Sequence, residues 1–186
     1  LPNKERNRLC WAFLWAHTQL LIMKTAKPVI FLDFEGVLNT KQYASDLRRS
    51  GKMPNDEYGY LFDPMAVNCL REIITEKDVD IVVTSSWRNE GLEKLRKMWN
   101  DRNMPGRILD ITPFAIDKSV IIDGYMIVQR GYEIKQWLRD NGRDRDYIII
   151  DDQDDFLPEQ HRHIVRTDKK IGLSHDDAQA AIKKLV

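Results

Sequence analysis

Cysteine is nearly missing from this chain: among 186 residues there are two, Cys10 and Cys69. No disulfide framework and no cysteine-based zinc site can be read from them, and such sparse use fits a reducing, cytoplasmic setting. An excess of one sign of charge is missing too. Lys plus Arg number 29 and Asp plus Glu number 29, giving a net charge of zero. The chain therefore has no global field to draw in nucleic acid or an anionic membrane, although a local basic pocket is still allowed. The most apolar stretch, LCWAFLWAHTQLLIM from Leu9 to Met23, falls short of the roughly 20 apolar residues that span a bilayer. His17, Thr18 and Gln19 also interrupt it, so no membrane partner is expected. There are no repeats and no low-complexity segments. What is present is 42% hydrophobic and 31% charged residues, enough apolar material for the core of one ordinary domain and unlike a disordered chain.

Residues 1–26 read as an N-terminal extension and residues 27–186 as the domain. The basic start, Lys4, Arg6 and Arg8, followed by an apolar stretch has some likeness to a signal peptide, but no small-x-small cleavage site follows. Three readings stay open for it: a helix lying on the domain, a targeting segment, or a natural start at Met23, where MKTAKPVIFLDF runs straight into a first strand.

From Lys27 onward, short apolar runs alternate with helical patterns. PVIFLDF (28–34), VDIVVTS (79–85), RILDIT (107–112), DYIIID (146–151) and HIVRT (163–167) read as five strands. Asp63-Pro64 opens a helix, with Asp as cap and Pro in its first position; Ala66, Cys69, Leu70, Ile73 and Ile74 form its apolar face. Leu92, Leu95, Met98 and Trp99 mark a second helix, ending before Pro105-Gly106. Ile134, Trp137 and Leu138 mark a third, ended by Asn141-Gly142. Ser174 caps a last helix with Asp177 as its reciprocal partner, Ala178, Ala181, Ile182 and Leu185 facing inward. This alternation predicts a Rossmann-like α/β fold, a parallel sheet of about five strands with helices on both faces. Two pieces break the rhythm. Residues 41–62 are polar and read as a loop or short insert. VIIDGYMIV (120–128) reads as a β-hairpin insert turning at Asp123-Gly124.

Ligands of an open parallel sheet bind at the carboxyl ends of its strands. The first strand ends in Asp33-Phe34-Glu35-Gly36, the second in Thr84-Ser85-Ser86 followed by Trp87-Arg88, and the fourth in Asp151-Asp152. Carboxylates crowded on one rim repel one another unless a cation sits among them. Hard oxygen ligands, with no Cys or His nearby in sequence, point to magnesium. Arg130, heading the helix before the acidic strand, is placed to offset anionic charge or hold a phosphate.

These residues resemble the haloacid dehalogenase-like (HAD) superfamily over about Lys27 to Val186. FLDFEGVLN is similar to its first motif and VVTSS to its second, Arg130 stands where the family has a Lys or Arg, and IIIDDQDD is similar to the acidic fourth motif. The succession SSWR, TP, RGYEIKQWL, IIIDDQDDF and GLS looks like the small HAD domains of multidomain RNA-repair proteins. The resemblance implies that Asp33 is a nucleophile forming an aspartyl phosphate. Magnesium would be held by Asp33, by Asp152 with help from Asp151, and by the main-chain carbonyl of Glu35. Ser85, with Thr84 as the close alternative, would bond the phosphoryl oxygens, with Ser86 and Arg88 as further substrate-binding residues. Arg130 would neutralise the phosphoryl group and contact Asp33, and Glu35 would act as acid and then base. The family's phosphatases usually carry Asp where this chain has Glu35.

The cap that many members use is small or absent here. That leaves room for either a phosphorylated nucleic-acid end or a small phosphate ester, with Arg48, Arg49, Lys52 and Arg88 as local positive charge. A phosphate-binding or scaffolding module with little turnover is the alternative, and phosphotransfer to an acceptor other than water a third reading.

Overall fold

The structure, a computed structural model, describes residues 27–114, 119–122, 125–128 and 130–185. The N-terminal extension and the Asp123-Gly124 turn lie outside the described residues.

Its centre is a five-stranded parallel sheet. β1 (Val29–Leu32) leads into α1 (Lys41–Arg49), the two-residue strands β2 (Asn55–Asp56) and β3 (Gly59–Tyr60), and α2 (Pro64–Lys77). Then come β4 (Asp80–Val83), α3 (Leu92–Asp101), β5 (Ile108–Ile111), β6 (Ser119–Ile122), β7 (Tyr125–Val128), α4 (Arg130–Asn141), β8 (Tyr147–Asp151), β9 (Ile164–Arg166) and α5 (His175–Lys184). The spatial order is β5-β4-β1-β8-β9, with every pairing parallel. The chain winds outward from β1 to β4 and β5, then returns to place β8 on the other flank of β1. Between β1 and β8 the winding reverses, and there the crevice for a ligand opens.

The alternation of side chains along the strands explains the layers. Ile30, Leu32, Ile81, Val83, Ile148 and Ile150 point to one face and pack with Ala66, Leu70 and Ile73 of α2, Leu95, Met98 and Trp99 of α3, and Ala178 and Ala181 of α5. Val29, Phe31, Val82 and Ile149 point to the other, against Ile134, Trp137 and Leu138 of α4. The edges of the Trp137 and Tyr147 rings meet Phe31, with centroids 5.4 and 5.6 Å away. Each fully buried side chain of this size contributes about 1.5–3 kcal/mol, so the three central strands anchor whatever stands at their ends.

The caps hold as read. Asp63 accepts from the Met65 amide at 2.9 Å ahead of Pro64, and Ser174 and Asp177 form a reciprocal capping box on α5. The hairpin expected over 120–128 forms as antiparallel β6 and β7, pairing Ser119 with Val128 through Ile122 with Tyr125, apart from the main sheet.

Residues 41–62 hold more structure than a loop. Thr40 caps α1, on which Ala44 is the buried residue, and β2 and β3 pair antiparallel. The helical pattern was hidden because nearly all of α1 faces water. The small hairpin is held by its neighbours: Arg102, just past the end of α3, donates to Asp56 at 2.6 and 3.0 Å and lies over the Phe62 ring at 4.6 Å.

Because α5 covers one sheet face and packs against α2, its cap matters to the whole core. Ser174→Ala removes the hydroxyl half of the box, while the residue-174 amide can still donate to Asp177, and should lower the unfolding free energy by about 1 kcal/mol, read from the urea midpoint at unchanged slope.

Candidate active site

Two adjacent strands deliver the acidic groups. The Asp33 amide donates to the Ile150 carbonyl at 3.1 Å, carrying the β1–β8 pairing one residue past the end of β1. Asp151 is the last residue of β8 and Asp152 follows it. Asp33 and Asp151 are fully buried, Asp152 partly. One carboxylate oxygen from each of Asp33, Asp151 and Asp152 lies within 4.8 Å of the other two.

The turn after β1 is shaped to allow this. Gly36 sits at φ +72°, and a Cβ there would stand 2.7 Å from the Asp152 carboxylate, so a side chain at 36 would strain the backbone and displace Asp152. The Thr167 hydroxyl donates to the Gly36 carbonyl at 2.8 Å and fixes the turn to the strand beyond.

Arg130 opens α4, and its Nη1 lies 2.5 Å from Asp151 Oδ2 and 3.1 Å from Asp33 Oδ1. Its helix end is pinned by close contact: the Gly131 amide donates to the Asp155 carbonyl, and the Gln160 amide donates to the Gly131 carbonyl at 2.8 Å. A Cβ on Gly131 would come within 2.6 Å of the Leu157 nitrogen, so only glycine lets α4 dock this closely.

The electrostatics follow from crowding without water. Burial pushes the Asp33 carboxyl above its ordinary range against the pull of Arg130. Burial pushes Asp151 up to about 7, Arg130 opposing and the Asp33 charge adding to it. Burial works against the charge on Arg130, but Asp33, Asp151 and Asp155 outweigh it and its pKa rises. One guanidinium faces three carboxyls, and Asp33 Oδ1, though in ion-pair range of Arg130, is buried without a hydrogen-bond partner among the described residues. A buried carboxylate oxygen met by Arg130 as an ion pair but by no hydrogen bond, in an all-oxygen cluster, fits a hard divalent cation.

The other flank of β1 brings hydroxyls. Leu32 pairs with Val83, so Thr84 and Ser85 follow β4 on the same rim as Asp33. Both are fully buried. Thr84 Oγ1 has no partner among the described residues, and Ser85 Oγ accepts from the Trp87 amide at 3.4 Å, capping the short 3-10 turn Ser86–Glu90. The exposed Glu35 carboxylate accepts from Ser86 Oγ at 3.1 Å and from Trp87 Nε1 at 3.3 Å. The Trp87 ring in turn packs on Phe34 and Phe62.

The structure thus puts Arg130 in contact with Asp33 and Asp151, brings Asp152 within 4.8 Å of both carboxylates, and ties Glu35 to Ser86. Arg88 goes elsewhere: its guanidinium lies in a buried pair with Glu133 of α4 at 2.6 Å. Arg49 is paired with Asp46 on α1. Trp87 and Glu133 were not among the residues singled out from the sequence. Trp87 adjoins Ser86, and Glu133 stands one helical turn after Arg130, so adjacency and i,i+3 spacing were the available signals.

Among known families, the model of the HAD domain in Swiss Army Knife RNA repair proteins matches residues 29–178. No curated protein matches the chain. Among the described residues no helix is long and apolar enough to cross a membrane.

A pH test follows from Asp151. Its pKa in the fold, about 7, is above the roughly 3.9 of an unfolded aspartate. The metal-free fold therefore holds a proton that the unfolded chain has released, and it loses stability as pH rises from about 4 through 7. A cation bound among these carboxyls would take the proton's place. Magnesium should therefore raise the melting temperature more at pH 8 than at pH 5; equal increments would contradict the assignment.

Proposed function

The chain belongs to the family of the HAD domain in Swiss Army Knife RNA repair proteins, and on that footing we propose that it is a magnesium-dependent phosphomonoesterase working through an aspartyl phosphate. The observation that carries this reading is the junction of Asp33, Asp151 and Asp152 with Arg130 between β1 and β8. Phosphoryl transfer is mainly positioning and charge neutralisation, and this cluster supplies a nucleophile, a cation site and a fixed guanidinium within one crevice.

An Asp33 carboxylate oxygen forms the new bond to phosphorus as the ester P–O bond breaks. Arg130 holds Asp33 in place and balances charge on the phosphoryl oxygens, to which the buried Thr84 and Ser85 hydroxyls stand ready to donate. Glu35 gives a proton to the departing oxygen. It then takes one from the water that attacks phosphorus, releasing phosphate and restoring Asp33. Asp33, Asp151 and Asp152, with the Glu35 main-chain carbonyl that the family resemblance adds, would hold a magnesium ion, which when bound would supply positive charge against the phosphoryl oxygens.

Glu35 keeps its role despite the added methylene. Its carboxylate reaches the Ser86 hydroxyl and the Trp87 indole, two donors that fix a longer side chain. An aspartate there would be drawn back from both. Among the described residues the insert over 41–62, following β1, holds α1 and a hairpin of two-residue strands. So slight an insert favours a substrate that presents a phosphate from a larger body, a phosphorylated nucleic-acid end, while still admitting a small phosphate ester.

Steady-state rates in magnesium on one aryl and one alkyl phosphate provide the test. Asp33→Asn should abolish turnover of both. Glu35→Gln should slow the alkyl ester by about 100- to 10,000-fold, because an alkoxide needs a proton to leave. It should spare the first step on the aryl ester, seen as a burst of phenol. Glu35→Asp should lose up to about 100-fold through misplacement on the order of 1 Å. A parent chain with no magnesium-dependent turnover on such esters or on 3′- and 5′-phosphorylated oligonucleotides would overturn the reading and leave a phosphate-binding module.

A further inference from the structure

Arg88 follows Ser85 by three residues, yet its guanidinium faces the interior. Nη1 donates to the Thr84 carbonyl, in a short hydrogen bond, and more weakly to the Ser85 carbonyl at 3.4 Å. Nη2 donates to Glu133 Oε2 at 2.6 Å, and both side chains are more than nine-tenths buried. The Phe114 ring, just past β5, covers the guanidinium at 4.6 Å. One planar group thus joins the turn after β4 to the first turn of α4, 45 residues away in sequence.

Stability alone is a weak reason for such a pair. Removing a guanidinium and a carboxylate from water costs several kcal/mol, and apolar replacements of equal volume are often no worse. What distinguishes this pair is what its two ends carry. One end fixes the backbone of Thr84 and Ser85, whose hydroxyls stand at the rim beside Asp33. The other end fixes Glu133, one helical turn from Arg130, whose guanidinium contacts Asp33 and Asp151. Arg88 also lies within electrostatic reach of both Arg130 and Asp33, so Glu133 has a second effect: it cancels the charge of Arg88 beside Arg130 and leaves Arg130 the guanidinium that faces the acidic cluster.

We infer that Arg88 and Glu133 are positioning residues, a brace that holds the Thr84–Ser85 turn in register with Arg130 so that hydroxyl donors and guanidinium meet the same phosphoryl group. This rests on the phosphatase reading and goes past it, since neither residue touches the substrate. A directly bound phosphate at Arg88 is the competing role, and it makes a different prediction for Glu133.

The experiment is a double-mutant cycle with Arg88→Lys and Glu133→Gln. A lysine keeps the charge, but one ammonium cannot reach Glu133 and both carbonyls. Each single variant should lower kcat on an aryl phosphate about tenfold, with a smaller change in KM, and the double variant should lose no more than either alone. Amide hydrogen exchange, read without substrate, should show residues 84–88 and 130–134 losing protection together in both single variants while β1 and β8 keep theirs. Where a charged variant fails to fold, Arg88→Met with Glu133→Leu restores an apolar fit, and it should fold yet show the same kcat deficit. Losses that add in the cycle would overturn the brace. So would a raised KM and raised inhibition constant for inorganic phosphate in Arg88→Lys alone, or a Glu133→Gln chain with parental kinetics. A parent chain without turnover would sink the phosphatase reading alone; the exchange coupling would still decide whether the two segments are braced.

Discussion

Mutual repulsion among three carboxyls is the constraint on which this molecule is arranged. Asp33, Asp151 and Asp152 are gathered within 4.8 Å, two of them buried, where charge is expensive. Arg130 answers part of that repulsion by bridging Asp33 and Asp151. Burial, with the Asp33 charge adding to it, still displaces Asp151 upward, and one Asp33 oxygen has no hydrogen-bond partner among the described residues. A divalent cation held among the three carboxyls, as proposed, would balance the remainder.

Holding the groups against their repulsion takes a rigid frame, and each part of the frame can be named. β1 and β8 run parallel with buried side chains on both faces, so their ends cannot drift apart. Gly131 and Gln160 fasten the head of α4 against the loop after β8, fixing where Arg130 stands. Gly36 lets the turn after β1 pass close to Asp152. On the opposite flank, aromatic rings from three segments, Phe34, Phe62 and Trp87, pack with edge-on and tilted contacts, and Arg102 lies over Phe62. The indole of Trp87 therefore enters the site from a packed wall, and its N–H meets Glu35 at a settled position.

The insert over 41–62 belongs to this wall. Its hairpin is too short to persist alone, and the Asp56 pair with Arg102 holds it to the end of α3. Gly59 passes the Trp87 ring so closely that a Cβ there would stand 3.0 Å from it. A segment that adds little to the main core thus supports Trp87, whose indole donates to Glu35.

Much of this was legible along the chain. The strands announced themselves by compact β-branched runs, Asp63-Pro64 and Ser174 with Asp177 by capping chemistry, and the acidic groups by their place just past strand ends. These are local properties: propensity, capping and side-chain alternation act over a few residues, so the sequence alone determined the elements, the fold class and the family motifs. Where a side chain turns once it leaves its strand is not local. Arg88 looked like a substrate ligand beside Ser85, and only the docking of α4 supplied a buried carboxylate, Glu133, that draws it inward. Glu35 looked like an imperfect aspartate until Ser86 and Trp87 were brought around β4 to receive it. The polar segment that became α1 and a hairpin gave little signal: α1 buries only Ala44, and the hairpin is held by Arg102 and the Trp87 ring rather than by an apolar face of its own. Pairings across 45 or 52 residues have no local trace in the chain; they exist because the order β5-β4-β1-β8-β9 sets those segments side by side.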